Sequence, residues 1–207
     1  MTSMQQTSGN VIAELLGEAA SWRMLGLLFE CPREGWLNDL QALTAEATGE
    51  ELCEAAQSAA QEASEGLYHT TFGPGGPAAP REVSYRDSLL AGQILGELRA
   101  QYEAFAYEPA LQEPPDHVAL MAGFMGYLHL KDAYARLDGA EAQAVTAASA
   151  AERFAAEHLS VIAQPLAESL ALSGIRYLEL ASRVLLRKTG PASSLPVLAA
   201  PEDEDSD

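Results

Sequence analysis

Residues 116–136, DHVALMAGFMGYLHLKDAYAR, constrain the fold more than any other stretch of this chain. The spacing predicts a helix with apolar groups on two faces. Leu120, Phe124 and Tyr127 share one face with Lys131; Val118, Met121, Met125 and Leu128 share another. A helix that is apolar along one stripe covers a core, whereas one apolar on several sides is packed inside it. At 1.5 Å per residue such a helix spans ~30 Å, about the width of a small domain. The chain must therefore supply other helices to surround it.

The rest of the sequence offers them. Residues 10–30 place Ile12, Leu15, Leu16, Ala19, Trp22, Leu25, Leu28 and Phe29 at helical spacing, with Asn10 as N-cap and Pro32 beyond the end. Residues 33–43 predict a short helix with Trp36, Leu37, Leu40 and Leu43 inward. Residues 49–66 predict one with a thin stripe of Leu52, Ala55, Ala56, Ala59 and Ala63. Helix is expected again over 88–105, burying Leu89, Leu90, Ile94, Leu98, Tyr102 and Phe105. Three more follow at 141–159, at 161–172 with Pro165 in its first turn, and at 175–188 with a basic end suited to a helix C-terminus. No segment alternates as a strand does, and no internal repeat is present. The expectation is an all-α, single, helical-bundle-like domain of about eight or nine helices over residues 1–190. A disordered acidic tail is expected over 191–207.

Charge and motifs exclude several functions. The 207-residue chain carries a formal net charge of -18, which repels nucleic-acid phosphates and favours basic partners. Cys31 and Cys53 have no CxxC spacing and read as reduced thiols. The start, MTSMQQTSGN, lacks the basic and apolar regions of a secretory signal, and no apolar run has the length of a membrane span. A cytoplasmic protein without stable membrane insertion is expected. His69, His117, His129 and His158 form no HExxH or zinc spacing, and there is neither GxSxG nor a Walker loop. The sequence compels no enzyme, no metal and no cofactor.

The interruption at residues 68–85, YHTTFGPGGPAAPREVSY, needs its own account. Gly and Pro fix a backbone that cannot continue a helix and set it as a wall or hinge. A second break at 106–115, AYEPALQEPP, reads as a hinge. Tyr68, Phe72, Gly73 and Pro74, followed by Pro80, Glu82 and Tyr85, resemble the signature loop of the TorD/DmsD/NarJ group of redox-enzyme maturation chaperones, with the Gly/Pro loop proper at 73–84. Glu113, Asp116 and His117, leading to Phe124, resemble that group's second signature. Phe154 with His158 and Leu159 resembles its C-terminal helix. The three pieces run in the group's order. Departures are Ile162 where relatives often carry tryptophan, Met121-Ala122-Gly123 where a Glu-Leu pair is usual, and Arg81-Glu82-Val83-Ser84 where relatives often carry further apolar or aromatic residues.

The resemblance implies a TorD-like helical chaperone with no catalytic chemistry. Its partners would be the catalytic subunit of a molybdenum oxidoreductase and that subunit's N-terminal leader, held until cofactor insertion and twin-arginine export. Guanine nucleotide is raised as a ligand by the resemblance alone; no phosphate loop here supports it. It implies a monomer or a domain-swapped dimer. On this view Tyr68, Phe72, Gly73, Pro74, Pro80, Glu82, Tyr85, Glu113, Asp116, His117, Phe124 and His158 form a client-binding region. The residues themselves leave a second reading open, in which Asp116 and His117 tie the loop to the central helix. Two other functions stay open: a NarJ-type assembly factor for a nitrate-reductase-like subunit without export, and a non-catalytic helical adaptor.

Overall fold

The computed structural model describes residues 2–190. The expected acidic tail lies outside them. Nine α-helices are present among the described residues: α1 (Thr2–Leu28), α2 (Trp36–Thr44), α3 (Glu50–Glu62), α4 (Glu65–Phe72), α5 (Ala91–Ala104), α6 (Val118–Leu137), α7 (Glu141–Phe154), α8 (Ser160–Leu170) and α9 (Arg176–Thr189). Short 3₁₀ turns at Glu82–Tyr85 and Ser88–Leu90 sit in the connector before α5. The described residues hold no strand, only one isolated antiparallel bridge between Arg81 and His117. The all-α, single-domain expectation is met.

The central helix is α6, as its two apolar faces require. Every residue from Val118 to Gly126 is buried. α1 crosses it closely because each helix offers a glycine to the other. A Cβ on Gly26 would meet Ala119 O at 2.9 Å, and one on Gly126 would meet Ala19 O at 2.9 Å. Side chains there would force the axes apart. On its other side α6 presents Phe124, fully buried among the rings of Tyr102 at 4.8 Å, Phe154 at 4.9 Å and Tyr107 at 5.3 Å. Four aromatic rings from α5, the following connector, α6 and α7 thus share one packed cluster. α3 packs on α9, and α8 on α9, closing the bundle.

Several boundaries differ from the sequence expectation, each for a local reason. The expected 49–66 helix is two helices. Its chain turns extended at Ala63, and Ser64 caps α4 by accepting the Leu67 N–H at 3.2 Å. Tyr68 and Phe72 are consequently helical, not loop. α1 begins at Thr2, so Asn10 lies inside it and caps nothing. Leu89 and Leu90, expected inside, are exposed because Asp87 caps a 3₁₀ turn there and α5 proper starts at Ala91. Leu37 is also exposed.

Pro165 sits within α8 rather than in a first turn. A π-helical turn at Ala155–Leu159 joins α7 to α8 without a break, so the helix does not restart near the proline. That turn carries His158 inward, which matters below.

Candidate functional site

Ten of the twelve residues singled out in the sequence converge on one place, where the Gly/Pro connector meets the N-terminus of α6. The connector is held there like a latch. Val118 N–H donates to Pro80 O at 2.8 Å, and Glu82 N–H donates to Asp116 O at 3.0 Å. The Asp116 carboxylate is fully buried and both oxygens are used. Oδ1 accepts from Arg81 Nε at 3.0 Å and Nη2 at 2.9 Å; Oδ2 accepts from Val83 N–H at 3.2 Å. Glu82 is likewise fully buried. It takes Arg86 Nε at 2.8 Å and His158 Nδ1 at 3.0 Å. Arg86 also donates to Glu157 O, so the same arginine ties the connector to the π turn.

His117 caps α6 and fixes its own tautomer by doing so. Its Nδ1 accepts the Ala119 N–H at 3.2 Å. The neutral ring then carries its proton on Nε2, which faces the Tyr68 hydroxyl at 3.1 Å. Burial is the main reason the ring stays neutral, lowering its pKa to about 4 against a smaller opposing pull from Asp116. Burial also pushes the Tyr68 hydroxyl well above its ordinary value. Phe72 packs on Tyr68 at 5.3 Å and on Phe29 at 6.4 Å. Tyr85 donates to Ala79 O at 2.9 Å and accepts from Ala79 N–H at 3.2 Å, folding the connector on itself. Gly73 closes α4 where a Cβ would strike His69 O at 2.3 Å; Pro74 beside it is exposed. Phe124 lies apart, in the aromatic cluster, with no surface of its own. Glu113 is the other residue outside the latch.

The reading in which Asp116 ties loop to helix therefore describes the geometry. The carboxylates and histidines of the latch find their hydrogen-bond partners within it. Beside it runs a groove. Its first depression, of 330 Å³, includes Glu65, Glu113 and His117. The second, of 270 Å³, lies between α1, α6 and the connector 107–111 and includes Arg23, Tyr107 and Glu108. These two share Glu30, Leu111 and Ala119 as walls. The third, of 670 Å³, lies over α6 and α7 and joins the second through Tyr127 and Leu130. Tyr134, 61% exposed, and Leu130, 37% exposed, give that far end apolar surface.

The groove is electrically asymmetric. Glu30, Glu65, Glu108 and Glu113 crowd the first two depressions, opposed by Arg23 and Arg33. The third holds Lys131 and Asp138 and is otherwise neutral. Tyr107 forms the roof of the middle section. Its ring stacks near Tyr127 at 5.2 Å, and Gly123 leaves room for its hydroxyl, which a Cβ there would meet at 2.6 Å. Burial pushes that hydroxyl up to about 12, Arg23 pulling the other way. Of the twelve sequence-derived residues only Glu113 and His117 line this groove. Arg23, Glu30, Tyr107, Tyr127, Leu130 and Tyr134 were not singled out. The one local signal was a carboxylate, Glu30, directly after the apolar run Leu27-Leu28-Phe29 and before Pro32.

Among the described residues no three His, Cys, Asp or Glu side chains are grouped to hold a metal ion, and no helix is long and apolar enough to cross a membrane. Compared with known families, residues 38–168 match the model of the nitrate reductase delta subunit. That segment is well over half of the 207 residues and runs from α2 into α8, so it contains the whole latch. No individually curated protein matches the chain.

Proposed function

The chain belongs to the nitrate reductase delta subunit family, and on that premise we propose that it is a cytoplasmic chaperone that binds the N-terminal leader of a molybdenum oxidoreductase's catalytic subunit. The family is one of assembly factors for molybdenum enzymes and does no catalysis itself. The finer reading is that the leader is held in the groove beside the latch until the cofactor is in place. The observation that carries it is the groove's polarity, acidic at the Glu30–Glu113 end and apolar at the Tyr127–Tyr134 end. A leader that opens with basic residues and continues with an apolar stretch fits that order. Its guanidiniums would find carboxylates for charge-assisted hydrogen bonds, and its apolar part would cover exposed leucine and tyrosine.

The latch has a different part in this reading. Asp116, Glu82, His117 and His158 hold the connector so that the groove's wall stays in place. They act on the client through the shape they maintain. The other sequence-derived residues of the loop, from Tyr68 to Tyr85, serve the same end.

A second reading takes its client from the family description, a nitrate-reductase-like subunit, and has that subunit assembled without export. Purification of the protein from its native cell, with identification of the apo subunit that travels with it, separates the two. A twin-arginine leader on that subunit supports export; a subunit without one supports the second reading. The leader of that subunit is then titrated against the protein beside a scrambled peptide of equal charge. The proposal expects preference for the true leader and weakening at high salt, because exposed charges are screened. Equal affinity for the scrambled peptide would make the protein a charge-driven adaptor instead.

A further inference from the structure

Glu30 follows Leu28 and Phe29, both essentially buried, and its N–H donates to Leu27 O at 3.1 Å, so the chain turns its side chain inward with theirs. The carboxylate is wholly shielded from solvent. Oε1 accepts from Arg23 Nη1. Among the described residues Oε2 has no hydrogen-bond partner. Arg33 Nη2 stands 3.9 Å from it, beyond hydrogen-bond reach. Two guanidiniums thus flank one buried carboxylate and neither forks onto it. A carboxylate has acceptor sites on both oxygens, and the two-pronged guanidinium pair is its strongest and most directional partner.

Position makes this more than a local imperfection. Glu30 is the wall shared by the first two depressions of the groove. Arg23 lines the second with 37% of its side chain exposed, and Arg33 lines the first with 45% exposed. Both are open enough to water to swing aside, and Arg23 is the one hydrogen-bonded to the carboxylate. Both arginines and Glu30 precede the segment matched by the family model.

We propose that Glu30 is a guanidinium subsite of the groove, taking an arginine of the client's leader, with Arg23 as the resting occupant that the client's arginine displaces. The proposal rests on the leader-binding reading of the groove and specifies its deepest contact. The incoming arginine forks onto Oε1 and Oε2 together, which Arg23 does not do. Lysine is a poor substitute, because an ammonium is a point charge without the planar fork.

The test is calorimetric titration of arginyl-arginine amide and lysyl-lysine amide into the full chain and into two variants. Glu30→Gln keeps the side-chain shape and removes the charge; Arg23→Ala removes the resting occupant. The expected result is binding of the arginine peptide about tenfold tighter than the lysine peptide, and about tenfold weaker in Glu30→Gln. Arg23→Ala is expected to bind the arginine peptide more tightly than the parent, an outcome that a purely structural Glu30 would not give. Should Glu30→Gln fail to fold, Arg23→Ala decides. Unchanged or weaker binding there, no binding to the parent, or equal binding of both peptides overturns the subsite. Titrating the co-purified client's leader in parallel keeps the two claims apart. A leader that binds parent and Glu30→Gln alike removes the subsite and leaves the chaperone reading; a leader that binds neither removes that reading.

Discussion

The latch and the groove lie side by side and both are built on buried carboxylates, yet they treat them differently. In the latch, Asp116 and Glu82 have both Arg partners and a second donor each, from Val83 N–H and His158. In the groove, Glu30 is as well shielded but uses one oxygen only. A buried charge with both oxygens engaged fixes a structure, because removing any partner leaves another without its bond. A buried charge left partly engaged retains capacity for a partner from outside. Residue type and burial alike would have put the three acids in one class; the count of hydrogen bonds separates them.

The comparison breaks first at Asp116. Asp116→Ala leaves the Val83 N–H without its acceptor and turns the Arg81 guanidinium, 36% exposed, out to water, and we expect a loss of about 2–3 kcal/mol in urea unfolding. A loss under about 1 kcal/mol, the level of an exposed ion pair, would mean that the latch is not the fastening described.

Acid acts on the same region. His117 is held neutral in the fold with its pKa lowered to about 4, against 6.5 unfolded. Above pH 6.5 neither state is protonated and the group contributes nothing to pH dependence. Below that value the unfolded chain takes up a proton the folded chain refuses, so stability falls until pH 4 and then levels. The expected loss from this group is about 2 kcal/mol between pH 7 and pH 5. His117→Asn keeps an acceptor for the Ala119 N–H and should flatten that part of the urea-midpoint profile. An unchanged slope would place the acid sensitivity elsewhere.

Smaller effects sharpen the groove side. Gly123→Ala puts a methyl against the Tyr107 hydroxyl, which can swing away, so about 1 kcal/mol of stability is expected to be lost. Leader affinity should fall by more than that stability change accounts for, since the roof of the groove has shifted. Leu130→Asp, on the exposed apolar end, should leave stability within about 0.5 kcal/mol while weakening the leader. Equal losses of stability and affinity in both variants would erase the distinction between scaffold and binding surface.

How much of this could be read from residues alone varies with the physics involved. The central helix was legible because apolar residues on two faces admit one solution. The latch was legible only as a set of motif residues in a shared order; that Asp116 faces Arg81 and that Glu82 reaches His158 depends on contacts across 35 and 76 positions. The split at Ser64 was written locally as Ser-Glu-Gly-Leu, a cap before an acidic first turn, but the helix-favouring alanines around it concealed it. The groove was not legible. Its walls come from α1, α6 and the 107–111 connector, and the feature that distinguishes Glu30 is an unused oxygen, which no spacing encodes.

The central claim is that the client's leader lies in the groove and that the latch only frames it. Photo-crosslinking tests this directly: the co-purified client's leader, synthesised with a photoreactive residue just after its basic positions, is irradiated on the protein and the adducts are mapped by mass spectrometry. Adducts at residues 107–111 and 123–130 are the predicted result. Adducts confined to the latch, residues 74–86, would contradict it.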